Sequence, residues 1–146
     1  MTEAVVYRHF SDKQALLDEV HSEIIEEMIA QKQRLLRAPG TACEKVREWV
    51  RLSYESFDRD PHGFTTVFLH APDDEHGRKD RRQSELFFEV LRRASKSEQE
   101  ATLATAMFVS MLLTVPRLIN AGEAEGPAGK HASRVGEAAC RMLGLA

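Results

Sequence analysis

Residues 13–37 carry the pattern that most restricts how this chain can fold. Apolar side chains recur there at steps of three and four residues: Leu16, Leu17, Val20, Ile24, Ile25, Met28, Ile29, Leu35 and Leu36. This spacing puts them on one stripe of an α-helix, which must bury that stripe against other elements. Ser11 and Asp12 offer a cap at the start, and Pro39-Gly40 ends the segment. The segment therefore predicts one long amphipathic helix.

Helical patterns continue along the rest of the sequence, and we find no strand or hairpin pattern, so the fold is predicted to be all-α. Thr41 and Ser97 are placed to cap two further helices. Residues 103–115 are apolar on nearly every side, which predicts a central helix, and Pro116 is expected to kink it or to disturb its preceding turn. A last helix is predicted over residues 130–143, with an apolar face made mostly of small side chains.

Length and composition exclude several classes of protein. The 146 residues suffice for one domain, and the net charge of -3 argues against a dedicated nucleic-acid binder. The longest apolar run, residues 106–115, is too short to span a bilayer, so no membrane partner is expected. With only Cys43 and Cys140 and no secretory signal, we expect a cytoplasmic protein whose two thiols are reduced and act as small hydrophobic groups.

The first seventeen residues contain the most specific motif. Tyr7, His9 and Phe10 are followed by Lys13 and Leu16, giving Tyr-x-His-Phe, two residues, Lys, two residues, Leu. This segment closely resembles the signature of the TetR family of transcriptional regulators, in which it spans the recognition helix of a helix-turn-helix and the start of the next long helix. Beyond this segment the resemblance is one of architecture alone.

The resemblance implies a role in DNA binding for the first residues. Tyr7, His9 and Lys13 would contact phosphate oxygens, which fixes register without reading sequence. Base reading would fall to the start of the recognition helix, at Thr2 and Glu3. The family places two helices before the recognition helix, and these would have to precede Met1. We therefore interpret residues 1–13 as a remnant of the DNA-binding domain, which contacts operator DNA only when those helices are present.

Residues 14–146 are then interpreted as a TetR-like C-terminal domain for ligand binding and dimerisation. Bulky aromatic and methionine side chains with a few polar groups are typical of small-molecule pockets, although ordinary core packing explains them equally well. The predicted pocket residues are Trp49, Tyr54, Phe57, Phe68, His70, Phe87, Leu91, Met107, Met111 and Thr114. The expected effector is a small hydrophobic or aromatic compound.

The last two helices are predicted to join two copies of the chain, as the resemblance implies. Small side chains on the final helix would allow close approach of a second helix across a two-fold axis. The predicted interface residues are Ala132, Val135, Ala139, Met142 and Leu143. The predicted function is that of a TetR-type repressor. The alternative is a ligand-binding and dimerisation module that does not bind DNA and antagonises a full-length relative.

Other constellations favour simpler interpretations. The histidines and carboxylates of residues 62–76 lack the helical spacing of a metal site, so neither a metal nor another cofactor is predicted. The basic run of residues 78–82 is interpreted as a solvated surface rather than an anion patch. No nucleophile elbow or glycine-rich phosphate loop is present in the sequence, so we do not expect an enzyme.

Overall fold

The computed structural model describes residues 13–69 and 75–145, which form an all-helical fold. Six α-helices follow one another: α1 (Lys13–Arg37), α2 (Ala42–Arg59), α3 (Pro61–Phe64), α4 (Glu75–Arg92), α5 (Glu98–Asn120) and α6 (Ala132–Met142). A π-helical turn, Thr65–Leu69, follows α3, and a 3₁₀ turn, Ala128–His131, precedes α6. This part of the chain contains no strand, and the all-α prediction is confirmed.

Two of the helices begin at the caps that the sequence predicts. The Thr41 hydroxyl accepts from the Glu44 backbone N–H at 3.1 Å, and the Glu44 carboxylate accepts in return from the Thr41 N–H at 3.2 Å. This reciprocal capping box satisfies two backbone donors at the start of α2. The Ser97 hydroxyl accepts from the Glu100 N–H at 3.1 Å and starts α5 in the same way.

The core forms between α2 and the helices around it. On α1, the apolar stripe buries Ile25, Met28 and Ile29, and that helix packs on both α2 and α4. A row of aromatic rings then crosses the core from α2 to α5. Trp49 meets Phe87 edge to face at 5.3 Å between ring centroids, and Phe87 stacks on Phe108 at 4.0 Å. These pairs bring α2, α4 and α5 together around one aromatic centre.

The last helix packs closely along α2 of the same chain. Its small-residue face is buried there, and a Cβ added at Gly136 would lie 3.4 Å from the Cα of Arg47. Ala132, Val135 and Ala139, which the sequence predicts at a dimer interface, belong to this buried face. Small side chains do allow a close helix pair, as expected, but the partner helix comes from within the chain.

The two cysteines form a disulfide between the first turn of α2 and the last turn of α6. The Cα atoms of Cys43 and Cys140 are 5.6 Å apart, within the usual range for such a bond, and their sequence separation is 97 residues. The prediction of two reduced, separate thiols is therefore wrong for this structure. The sequence around each cysteine gives no sign of this pairing, because the close packing of α6 on α2 brings the two cysteines together.

An acidic side chain on α2 holds the loop that leads into α6. The Asp58 carboxylate accepts from the backbone N–H groups of Ala128 and Gly129, at 2.6 Å and 2.8 Å. A carboxylate at the start of a helical turn satisfies donors that have no partner within the turn. Together with the disulfide, this contact fixes both ends of α6 against α2.

Helix α5 runs without interruption through Pro116, although proline has no N–H to donate to the carbonyl of Leu112. Tyr54, a fully buried side chain of α2, replaces the missing donor, because its hydroxyl donates to the Leu112 carbonyl oxygen at 2.8 Å. Burial also raises the pKa of the Tyr54 hydroxyl, which keeps it a donor. The predicted irregularity at Pro116 is thus absorbed by a side chain from another helix.

In the part of the chain that the structure describes, α5 alone is long and apolar enough to cross a membrane by length and composition. Only 28% of its apolar stretch is buried within the chain. A single helix of this kind is weak evidence for a membrane span. The large exposed apolar side chains on α5 are Leu103 and Met107. A cytoplasmic location stays a prediction.

Candidate functional site

A cavity lies at the aromatic centre of the fold, where six helical elements meet. Met28 reaches it from α1, Trp49 and Ser53 from α2, and Phe68 from the π-helical turn. The rest of the wall comes from α3, α4 and α5: Phe64, Gln83, Ser84, Phe87, Phe108, Val109, Leu112 and Leu113. Segments of π-helix are frequent at functional sites, and this one places Phe68 on the wall. The cavity is mostly apolar with a few polar groups, as ligand sites usually are.

The cavity is small in this conformation. Its volume is about 40 Å³, whereas pockets for drug-sized ligands measure roughly 300–1,000 Å³. A cavity of this size holds water molecules and no organic ligand of that class. Binding of an effector here therefore requires the surrounding side chains and helices to move apart.

A buried lysine lies beside the cavity wall. The Lys32 side chain on α1 is 0% exposed, and its Nζ has no hydrogen-bond partner among the described residues. The Nζ atom lies 5.0 Å from the centroid of the Trp49 ring, within the range of a cation–π contact. Burial lowers the pKa of the Lys32 ammonium group to about 7, because desolvation disfavours the charged form.

The structure brings three of the predicted pocket residues together on the cavity wall: Trp49, Phe68 and Phe87. Three others are buried elsewhere in the core: the Tyr54 hydroxyl donates to the Leu112 carbonyl, Phe57 packs on Phe64, and Leu91 contacts further apolar groups. Met111 is partly buried against the same core. Met107 is 47% exposed, and the Thr114 hydroxyl donates to the Ser110 carbonyl on the surface of α5. His70 lies outside the described residues.

Sequence reasoning missed several groups of the site, and Lys32 is the most informative of them. Lys32 follows Met28 by four residues and Ile29 by three, so it occupies a position on the apolar stripe of α1. A lysine on an apolar stripe is a signal that the sequence already contains, because lysine is almost never fully buried unless it is paired. The sequence does not distinguish Phe64 and Phe108 from the other aromatic side chains of the chain.

The predicted DNA-binding residues Thr2, Glu3, Tyr7 and His9 lie outside the described part of the chain. Lys13 is the first residue of α1, and only its backbone belongs to that part. Among the described residues, no group of three or more histidine, cysteine or acidic side chains is arranged to hold a metal ion. Arg82 of the basic run forms an ion pair with Glu26 of α1.

A second depression, of about 510 Å³, lies on the surface between α1 and α4. Its floor contains Ile29, Leu86 and Phe88, and its rim carries charged side chains, among them Arg82 and Glu85. It is more open than the aromatic cavity and lacks its ring of aromatic side chains, so we regard the aromatic cavity as the candidate site.

Comparison of the chain with family models, with curated proteins and with solved structures found no match. The resemblance to the TetR family therefore remains an expectation from the sequence.

Proposed function

We propose that this chain is the ligand-sensing and dimerising part of a transcriptional repressor of the TetR type. The observation that carries the proposal is the course of one helix. Helix α1 follows the segment with the family's signature in the sequence and contributes Met28 to the wall of the cavity. We infer that a change in the cavity would reach the DNA-reading segment through this helix.

The contacts of α1 support a mechanism in which this helix moves. Besides its apolar stripe, α1 is held by two exposed ion pairs, Glu26 with Arg82 of α4 and Glu27 with Arg59 of α2. Exposed pairs of this kind contribute only about 0–1 kcal/mol each, so they resist displacement weakly. A ligand that enlarges the 40 Å³ cavity would separate α1 from α2 and α4.

Such a displacement changes DNA binding only if the ligand prefers one arrangement of α1. In a two-fold dimer, the two recognition helices must match major grooves roughly 34–36 Å apart. A small rotation of α1 in each subunit would change that separation and release the operator. The effector therefore acts through its higher affinity for the arrangement that does not fit DNA.

Dimerisation through α5 is the second part of the proposal. The exposed face of α5 carries Leu103 and Met107 one turn apart, followed by Ser110 and Thr114, and so holds two of the three large exposed apolar side chains of the described residues. Met142 and Leu143, which the sequence predicts at the interface, are half-buried at the same end of the molecule, beside Met107. A second copy of the chain would cover this face.

Light scattering tests the dimer. The chain at micromolar concentration should have twice its monomer mass, and Met107→Lys should give the monomer because it places a charge inside the apolar contact. Ser133→Lys, an exposed change on α6, serves as the matched control and should remain dimeric. A monomeric mass for the unaltered chain would contradict this part of the proposal.

Selection from random DNA duplexes tests the regulatory function. The chain together with the coding sequence directly upstream of Met1 should enrich an inverted repeat, and its affinity should fall steeply with salt. Lys13→Ala should weaken binding equally across sequences and lower the salt slope by about one unit. Failure to enrich any sequence would contradict the proposal.

A second candidate function is that of a module that does not bind DNA and antagonises a full-length relative. The observation in its favour is the charge of residues 1–37, which hold five basic and seven acidic side chains. This candidate would be supported if the chain forms a dimer but enriches no duplex, both alone and together with the coding sequence upstream of Met1.

A further inference from the structure

Lys32 is a buried cationic side chain for which the described structure supplies no counter-charge. The Nζ atom has neither a hydrogen bond nor an ion pair there, and it lies over the face of the Trp49 ring, 5.0 Å from the ring centroid. An unpaired ammonium group in a protein interior is destabilising unless a partner compensates it. The unpaired ammonium group of Lys32 is therefore a candidate for binding a ligand that enters the core.

The position of Lys32 connects it with the cavity in two ways. Met28, which lines the cavity, precedes Lys32 by one turn on the same face of α1. Trp49 also lines the cavity, and Lys32 packs its Nζ against that ring. When the cavity enlarges, displacement of α1 or rotation of the Trp49 ring exposes the Nζ to the occupant.

We propose that the occupant of the cavity is a small aromatic or aliphatic carboxylic acid whose carboxylate pairs with the ammonium group of Lys32. This inference rests on the proposed ligand-sensing function and names its ligand class. The apolar body would lie against the stacked Phe87 and Phe108 rings, and the carboxylate would point towards α1.

The composition of the wall supports an anion rather than a neutral or cationic ligand. The described residues that line the cavity include no carboxylate, so an entering anion meets no like charge. Ser53, Gln83 and Ser84 supply hydrogen-bonding groups for the second carboxylate oxygen. Pairing with a carboxylate also favours the charged form of Lys32, which offsets the desolvation that the empty site imposes.

The experiment uses the fluorescence of Trp49, which is the single tryptophan of the chain and borders both the cavity and Lys32. The folded chain is titrated with matched pairs of acid and amide: benzoate and benzamide, phenylacetate and phenylacetamide, octanoate and octanamide. At least one acid should bind about tenfold or more tightly than its amide, the size expected for one charge-assisted hydrogen bond.

Two variants of Lys32 and one control complete the test. Lys32→Met and Lys32→Gln should each remove the preference for the acid, while Lys96→Met, the same change at an exposed lysine, should leave it intact. Two different side chains are used so that a folding defect in one does not decide the outcome.

The outcomes separate this inference from the proposed function. Equal binding of acids and amides, an undiminished preference in both Lys32 variants, or no binding by any compound would overturn the inference. Acid-selective binding that leaves DNA enrichment unaffected would support the inference and contradict the regulatory mechanism.

Discussion

The hydrogen bond from Tyr54 to the carbonyl of Leu112 gives a quantitative prediction. Pro116 deprives that buried carbonyl of its helical donor, and the Tyr54 hydroxyl replaces it at 2.8 Å. Tyr54→Phe should therefore leave the oxygen without a partner and lower the free energy of unfolding by about 1–3 kcal/mol. Pro116→Ala restores a backbone N–H one turn after Leu112. In that background, Tyr54→Phe should lose most of its effect.

A double-mutant cycle measures this coupling. Urea unfolding, followed by far-ultraviolet circular dichroism, gives the free energy of unfolding of the unaltered chain, both single variants and the double variant. We expect the double variant to be more stable than the sum of the single effects predicts, by about 1–2 kcal/mol. Loss of packing at the buried proline affects both backgrounds equally and cancels. Additivity within about 0.5 kcal/mol would refute the assignment of Tyr54 as the substitute donor.

Three further predictions follow from described contacts. Burial lowers the pKa of Lys32 from 10.5 to about 7. The unfolded chain therefore binds more protons than the folded chain between these pH values, and the free energy of unfolding should rise by about 2 kcal/mol between pH 7 and pH 9. In urea unfolding, Lys32→Met should lack this rise. Gly136→Val should cost about 1–3 kcal/mol by forcing α6 away from α2, unlike the exposed Ser133→Val. Thiol titration of the denatured, unreduced chain should detect neither Cys43 nor Cys140, and two free thiols would contradict the cross-link.

The helices themselves were predictable because their signals are local. The stripe of α1 and the caps at Thr41 and Ser97 depend on residues within a turn or two of each other. The proline of α5 shows where local reasoning stops. An irregular turn was expected at Pro116, but Tyr54, which lies 58 residues before Leu112, supplies the missing donor.

The site was only partly predictable because its composition depends on how each helix is rotated. Trp49, Phe68 and Phe87 line the cavity, whereas Met107 lies on the outer face of the nearly all-apolar α5. When a helix is apolar on every side, the sequence pattern does not indicate how the helix is rotated about its axis. Its inner and outer faces therefore cannot be distinguished from the sequence. Periodicity identifies one face of α6 as a packing surface, but it does not indicate which helix packs against that face.

The disulfide divides the described helices into two groups that differ in how they can open. The cross-link between Cys43 and Cys140 encloses α2 to α6 in a covalent ring and leaves α1 outside it. Restriction of the unfolded ensemble therefore favours the ring, by roughly 4–5 kcal/mol in the chain-entropy description of a loop of about 100 residues, and gives α1 no such help. In native-state hydrogen exchange, α1 should form a separate unit that opens at lower free energy than the enclosed helices. Helix α1, which contributes Met28 to the cavity wall, is therefore expected to open while the enclosed helices stay folded.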